Sequence, residues 1–157
     1  MKWFVLFMDK INFALKVIIV ILLSAAFLSL ILQVLSRFVF KFPITWSEEL
    51  SRYLLVWITF IGASLAMRHQ QLIRIEAAVN ALPGPLRKAA LALAGLAVIV
   101  FCAVVFRYSL DLLQVVSRQT SPSLHIPMSI PYMAIPVGCA LIILNAIVGF
   151  FSPREGE

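Results

Sequence analysis

The chain has 157 residues, 62% of them hydrophobic and only 13% charged, with a mean hydropathy of +1.03 and a formal net charge of +6. This composition excludes a soluble domain with a charged surface and makes a bilayer the natural solvent. The Lys and Arg residues flank apolar runs and form no basic face with interleaved aromatics, so lipid headgroups and membrane orientation account for the charge and nucleic acid does not.

Uncharged runs occupy 17–36, 53–67, 89–106 and 126–153. About 20 helical residues cross about 30 Å of hydrocarbon. The sequence therefore predicts an all-α integral membrane protein with spans at about 11–40, 46–67, 87–108 and 131–151, in one membrane domain covering 1–157. With the N-terminus cytoplasmic, four spans return the C-terminus to the cytoplasm. Lys2, Lys10, Lys16, Arg68, Arg74, Arg87, Lys88 and Arg154 then lie inside, and Arg37, Lys41, Arg52, Arg107 and Arg118 outside. That bias has the sign of the positive-inside rule. The first apolar run is long and no small-residue cleavage site follows it, so it reads as an uncleaved span.

Along the first span, Ser24, Ser29, Gln33 and Ser36 read as groups that bond their own helix or a neighbour. The second span is unusual. Its uncharged part holds fifteen residues, about 22 Å of helix at ~1.5 Å per residue, which is too short to cross. A start near Thr45 supplies the missing turns from residues 46–52, and places Trp46, Ser47, Glu48, Glu49, Arg52 and Tyr53 in the headgroup layer or against another protein surface. Ionisable groups at a membrane segment are by default functional candidates, so proton or sodium binding by the two glutamates is one reading. The other is helix entry and docking. Thr45 and Glu48 have capping-box spacing, both glutamates lie in the first turn where the helix dipole favours negative charge, and Arg52 stands three and four residues on. Trp46 and Tyr53 suit an interfacial anchor.

Farther along this span, Thr59, Gly62, Ala63, Ser64 and Ala66 predict close helix packing. The next segment, about 71–82, alternates Leu72, Ile75, Val79 and Leu82 with Arg74, Glu76 and Asn80, the pattern of a short amphipathic helix along the cytoplasmic interface. Arg68, Arg74 and Glu76 are its interface residues, and Pro83-Gly84-Pro85 ends it. The third span is rich in small residues, and beyond it Arg107 and Asp111 have the spacing of a helical ion pair. The stretch "SRQTSPSLHIPMSIP" (117–131), with its three prolines, predicts an ordered outer loop. Pro131 suits the first turn of the last span, and Pro136 a kink.

No pattern of catalytic chemistry emerges. His69 and His125 fall on opposite predicted faces of the membrane, and Cys102 and Cys139 lie in apolar runs as small buried residues. No phosphate-cradling glycine loop is present, and Glu76 and Asp111 are isolated acids. Neither a cofactor, a metal nor an enzymatic activity is expected.

The order "WSEELSRYLLVWITFIGASLAMR" followed by "HQQLIRIEAAVNALP" resembles the signature of the small membrane subunit of tripartite ATP-independent periplasmic (TRAP) transporters, the DctQ family. The likeness is most specific over the second span and the segment after it, and the four-span layout extends it over nearly the whole chain. It implies a subunit of a bacterial or archaeal inner-membrane complex. The partners it implies are a large multi-span subunit of the DctM type, a periplasmic binding protein that delivers an organic acid, and phospholipids. The large subunit would hold the substrate and sodium sites, with this chain as a fixed scaffold. Gln70-Gln71 departs from the glycine or small residue expected there. Two other classes compete. An autonomous homodimeric four-span exporter or channel would place an acid in the middle of its first span, and 17–36 has none. A membrane enzyme acting on lipid or quinone would need a cluster of His, Asp or Cys.

Overall fold

In a computed structural model, the described residues are 2–39, 41–42, 44–68 and 84–151. They form five helices: α1 (Lys2–Phe38), α2 (Thr45–Arg68), α3 (Gly84–Val116), α4 (Ser129–Tyr132) and α5 (Ala134–Phe151). Four membrane-length segments, in α1, α2, α3 and across α4 and α5, are long and apolar enough to cross a membrane. No strand occurs among the described residues, only an isolated bridge between Thr120 and Pro127. The interfacial segment expected at 71–82, with Arg74 and Glu76, lies outside the described residues.

The main helix contacts form a row, α1 against α2, α2 against α5, and α5 against α3, and α1 also reaches α5 at one end through Asn12 and Asn145. The α1–α2 contact follows a heptad-like rule. On α1 one series of buried and half-buried positions runs Met8, Asn12, Leu15, Ile19, Leu22, Ala26, Ser29, Gln33 and Ser36; on α2 one such series, among the other buried positions that face α5, runs Ser47, Ser51, Leu54, Ile58, Ile61, Leu65 and Arg68. Both series alternate steps of four and three, which keeps one seam facing the partner in an antiparallel left-handed pair. The seam changes character along its length. Leu15, Ile61 and Leu65 pack with Ile19 and Leu22 towards one end, whereas small and hydroxyl side chains fill the other.

The α2–α5 contact is tightest at Gly138. A Cβ there would stand 2.5 Å from Phe60 Cβ, closer than carbon atoms tolerate. Small residues allow this approach, and in lipid such packing is a main source of helix association. Gly62, expected to be the close-packing glycine, is half-buried and more open: its nearest neighbour to an added Cβ is Ile19 Cδ1 at 4.0 Å. Ala63 packs against the core formed by Met67, Cys102, Cys139, Ile142 and Ala146, and Ala66 is half-buried.

The last span is interrupted by one residue, whose backbone angles remain helical. This residue is Met133, between α4 and α5. Pro131 lies in α4, and Pro136 is the third residue of α5. Proline has no amide hydrogen, so Pro136 leaves the Tyr132 carbonyl without its helical donor, next to the interruption.

Candidate functional site

The polar residues collect at the two ends of α2. At its Thr45 end the structure brings together the cluster singled out in the sequence and the loop before α4. Thr45 is the first helical residue, and the Ser47 hydroxyl donates back to the Ile44 carbonyl at 3.0 Å. Glu48 forms an ion pair with Arg52 instead of closing a capping box, and both side chains are exposed. Such a pair contributes only ~0.2–1 kcal/mol in water.

Glu49 behaves differently. Arg52 bonds Glu48, while Glu49 Oε1 accepts the Tyr53 hydroxyl and Glu49 Oε2 accepts the backbone amides of Ser123 and Leu124, each at 3.0 Å. The carboxylate thus ties α2 to a loop more than seventy positions away. The loop supports the same geometry: Ser121 N donates to the Ile126 carbonyl at 2.9 Å, Met128 N to the Gln119 carbonyl at 3.0 Å, and the Leu124 amide also reaches Ser121 Oγ at 3.2 Å. His125 adopts a left-handed backbone with φ 55°. Tyr53 completes the junction, its hydroxyl 3.3 Å from Met128 Sδ. Ser47, fully buried, offers its carbonyl to both Ser51 Oγ (2.8 Å) and Ser29 Oγ (3.0 Å), which joins α1 to this end. Trp46 is exposed. Gln33, for which the sequence predicts a partner, has a buried Oε1 with no hydrogen bond among the described residues.

At the Arg68 end the groups turn inward. Arg68, expected at an interface, has a side chain only 3% exposed; its Nη2 and Nε donate to Asp9 Oδ1 at 2.7 and 3.3 Å. One turn farther in, Asn12 and Asn145 exchange amide hydrogen bonds of 2.8 and 3.0 Å, with both residues buried. Asn145 also donates to the Ser64 carbonyl and Asn12 to the Met8 carbonyl, each at 2.9 Å. Three helices meet at this point.

Asp9, Asn12, Asn145 and Gly138 are therefore structural residues that sequence reasoning missed. Their signal was present only as isolated polar or small residues in apolar runs. Arg107 and Asp111 do form the predicted pair, at 2.7 Å on the exposed side of α3. Chemically, both clusters consist of helix-joining and loop-joining bonds: each carboxylate described here accepts from a side chain or backbone amide of its own chain.

Comparison with known proteins gives a consistent answer. The model of the family "Tripartite ATP-independent periplasmic transporters, DctQ component" matches residues 12–155. A Haemophilus influenzae protein named for a small permease role in a TRAP transporter is 30% identical over 152 residues, covering 94% of this chain and 94% of that protein. The C4-dicarboxylate TRAP transporter small permease protein DctQ of Rhodobacter capsulatus is 29% identical over 117 residues, 73% of this chain and 52% of that one. The isethionate TRAP transporter permease protein DctMQ of Oleidesulfovibrio alaskensis is 29% identical over 104 residues; the match takes in 65% of this chain but spans only 16% of that protein's length.

Proposed function

Because the chain belongs to the DctQ component family of the tripartite ATP-independent periplasmic transporters, we propose that it is the non-catalytic scaffold of such a transporter. In this reading it associates with a large DctM-type subunit that carries out sodium-driven uptake of an organic acid delivered by a periplasmic binding protein. It sits in the bacterial or archaeal cytoplasmic membrane with both termini in the cytoplasm, so that the Thr45 end of α2 faces the periplasm and the Arg68 end the cytoplasm. Residues 1–157 act as one membrane domain.

The observation that carries the reading is the open row of helices. α1 and α3 stand at its two ends and expose long apolar faces, including Phe13, Phe27 and Leu28 on α1 and Leu93, Phe101 and Val104 on α3. A closed four-helix bundle would bury more of both, and a row that offers them sideways suits a subunit that widens a larger one. Trp46, Glu48 and Arg52 lie on the exposed surface of α2 and are the candidates for contact with headgroups or the large subunit. The internal bonding of Glu49 favours a positioning role over ion binding.

Co-expression with a tagged large subunit and a binding protein tests this. The chain should co-purify with the large subunit, and proteoliposomes holding this chain alone should show no uptake. Robust uptake by the single protein would instead favour the autonomous exporter or channel.

A further inference from the structure

The Ser29–Ser47 hydrogen bond and the packing of Leu15 with Ile61 and Leu65 fix the antiparallel register of α1 and α2. In that register Lys16 stands level with Phe60, and Arg52 with Ser24. The two cations are therefore about eight residues, or about 12 Å, apart along the helix axes. Both side chains are exposed. Hydrocarbon is about 30 Å thick, and even with each side chain stretched away from the other by about one turn the two reach only ~23 Å apart. A bilayer that puts the Glu48–Arg52 pair in its headgroups thus leaves Lys16 in its apolar layer. The carboxylates of Asp9, Glu48, Glu49 and Asp111 each bond another group, and none pairs with Lys16.

The same side of α1, turned away from the seam with α2, carries Phe27, Ile31, Val34 and Phe38, spaced by three and four residues. Phe27, Val34 and Phe38 are more than half exposed. Val34 and Phe38 lie about 8 and 13 Å past the Ser29–Ser47 level, farther out than the exposed Glu48–Arg52 pair, where that bilayer offers headgroups and water.

We infer that this side of α1 seats a transmembrane helix of the large subunit, apolar against residues 27–38 and bearing a carboxylate level with Lys16; the inference rests on the scaffold reading above. A carboxylate beside an intramembrane lysine removes the cost of an unpaired charge in hydrocarbon. A protein helix also covers apolar surface where lipid tails end, and lipid does not meet both needs at once. A second copy fits poorly. Two copies inserted the same way and joined through this side would run their α1 helices parallel and set Lys16 against Lys16.

The complete complex in lipid nanodiscs provides the test. p-Benzoylphenylalanine in place of Phe27, Phe38 or Phe101 keeps an aromatic ring at each site, with Phe101 on α3 as the comparison. Illumination should join the chain to the large subunit from positions 27 and 38 at least fivefold more than from 101. Lys16→Met should lower the amount of large subunit recovered with the chain at least fivefold, and Lys16→Arg should restore most of it. Should these variants fail to fold, hydroxyl-radical footprinting of the unaltered chain decides: Phe38 should be oxidised in nanodiscs holding this chain alone and protected at least fivefold in the complex. Failure of the unaltered chain to recover the large subunit would remove the scaffold reading and this inference with it. The inference alone is overturned by an intact complex in which positions 27 and 38 crosslink to phospholipid or to a second copy, position 101 crosslinks equally well, Lys16→Met changes nothing, or Phe38 is equally oxidised with and without the large subunit.

Discussion

The two ends of α2 solve the same problem, polar residues beside a membrane-length helix, in opposite ways. At the Arg68 end the charge is buried and its partner Asp9 comes from another helix, with the Asn12–Asn145 pair directly behind it. At the Thr45 end one carboxylate is spent locally on an exposed Arg52 and the other holds a loop. The contrast separates residues that set the packing of the row from residues that set its surface. Breaking the Arg68 end should loosen the helices, and breaking the Thr45 end should release a loop while the row persists.

Asp9→Ala should have the largest effect. It leaves the buried Arg68 guanidinium without this carboxylate; breaking a fully buried pair costs about 3–5 kcal/mol, and with the Asp9 side chain 33% exposed the loss falls at or below the lower end of that range. Thermal unfolding of the purified chain in detergent would read this as a lowered midpoint; an unchanged midpoint would mean that Arg68 finds water or headgroups instead.

Gly138→Ala comes next, at about 1–3 kcal/mol for an overpacked contact, because the new methyl group meets Phe60 at 2.5 Å. Gly62→Ala is its control: with 4.0 Å to the nearest side-chain atom it should melt close to the unaltered chain. Equal losses at the two glycines would contradict the helix packing described.

Glu49→Ala should act at a distance in sequence and locally in space. Hydrogen bonds to a charged group contribute about 1.5–3 kcal/mol each in net stability, so the Ser123 and Leu124 amides should exchange with deuterium at least tenfold faster while the α1–α2 seam keeps its protection. Arg52→Ala is expected to be the smallest, ~1 kcal/mol or less for an exposed pair. A melting shift as large as that of Asp9→Ala would erase the contrast between the two ends.

Hydropathy and length made the four spans legible, and the shortness of the second apolar run correctly drew residues 46–52 into its helix. The seam between α1 and α2 was less visible. α1 is apolar on nearly every side, so hydrophobic periodicity carries no contrast; the spacing shows only once Asn12, Ala26, Ser29, Gln33 and Ser36 are read as the marked positions. The pairings of Asp9 with Arg68 and of Glu49 with the 123–124 amides join residues 59 and about 75 positions apart. Local spacing rules favoured Arg52 as the partner of both glutamates. Tertiary geometry gave Glu49 a better set of donors, two aligned backbone amides and a tyrosine hydroxyl, which an i, i+3 neighbour does not match.

In the proposed scaffold role, the acids of the Thr45 end build structure and carry neither substrate nor sodium. The most direct measurement is uptake by the complete reconstituted transporter bearing Glu48→Gln and Glu49→Gln, followed as a function of sodium concentration and with competing organic acids. A scaffold role predicts a rate that scales with the amount of assembled complex, and an unchanged sodium dependence and order of preference among the acids. A shifted sodium dependence or an altered preference, with assembly intact, would contradict it.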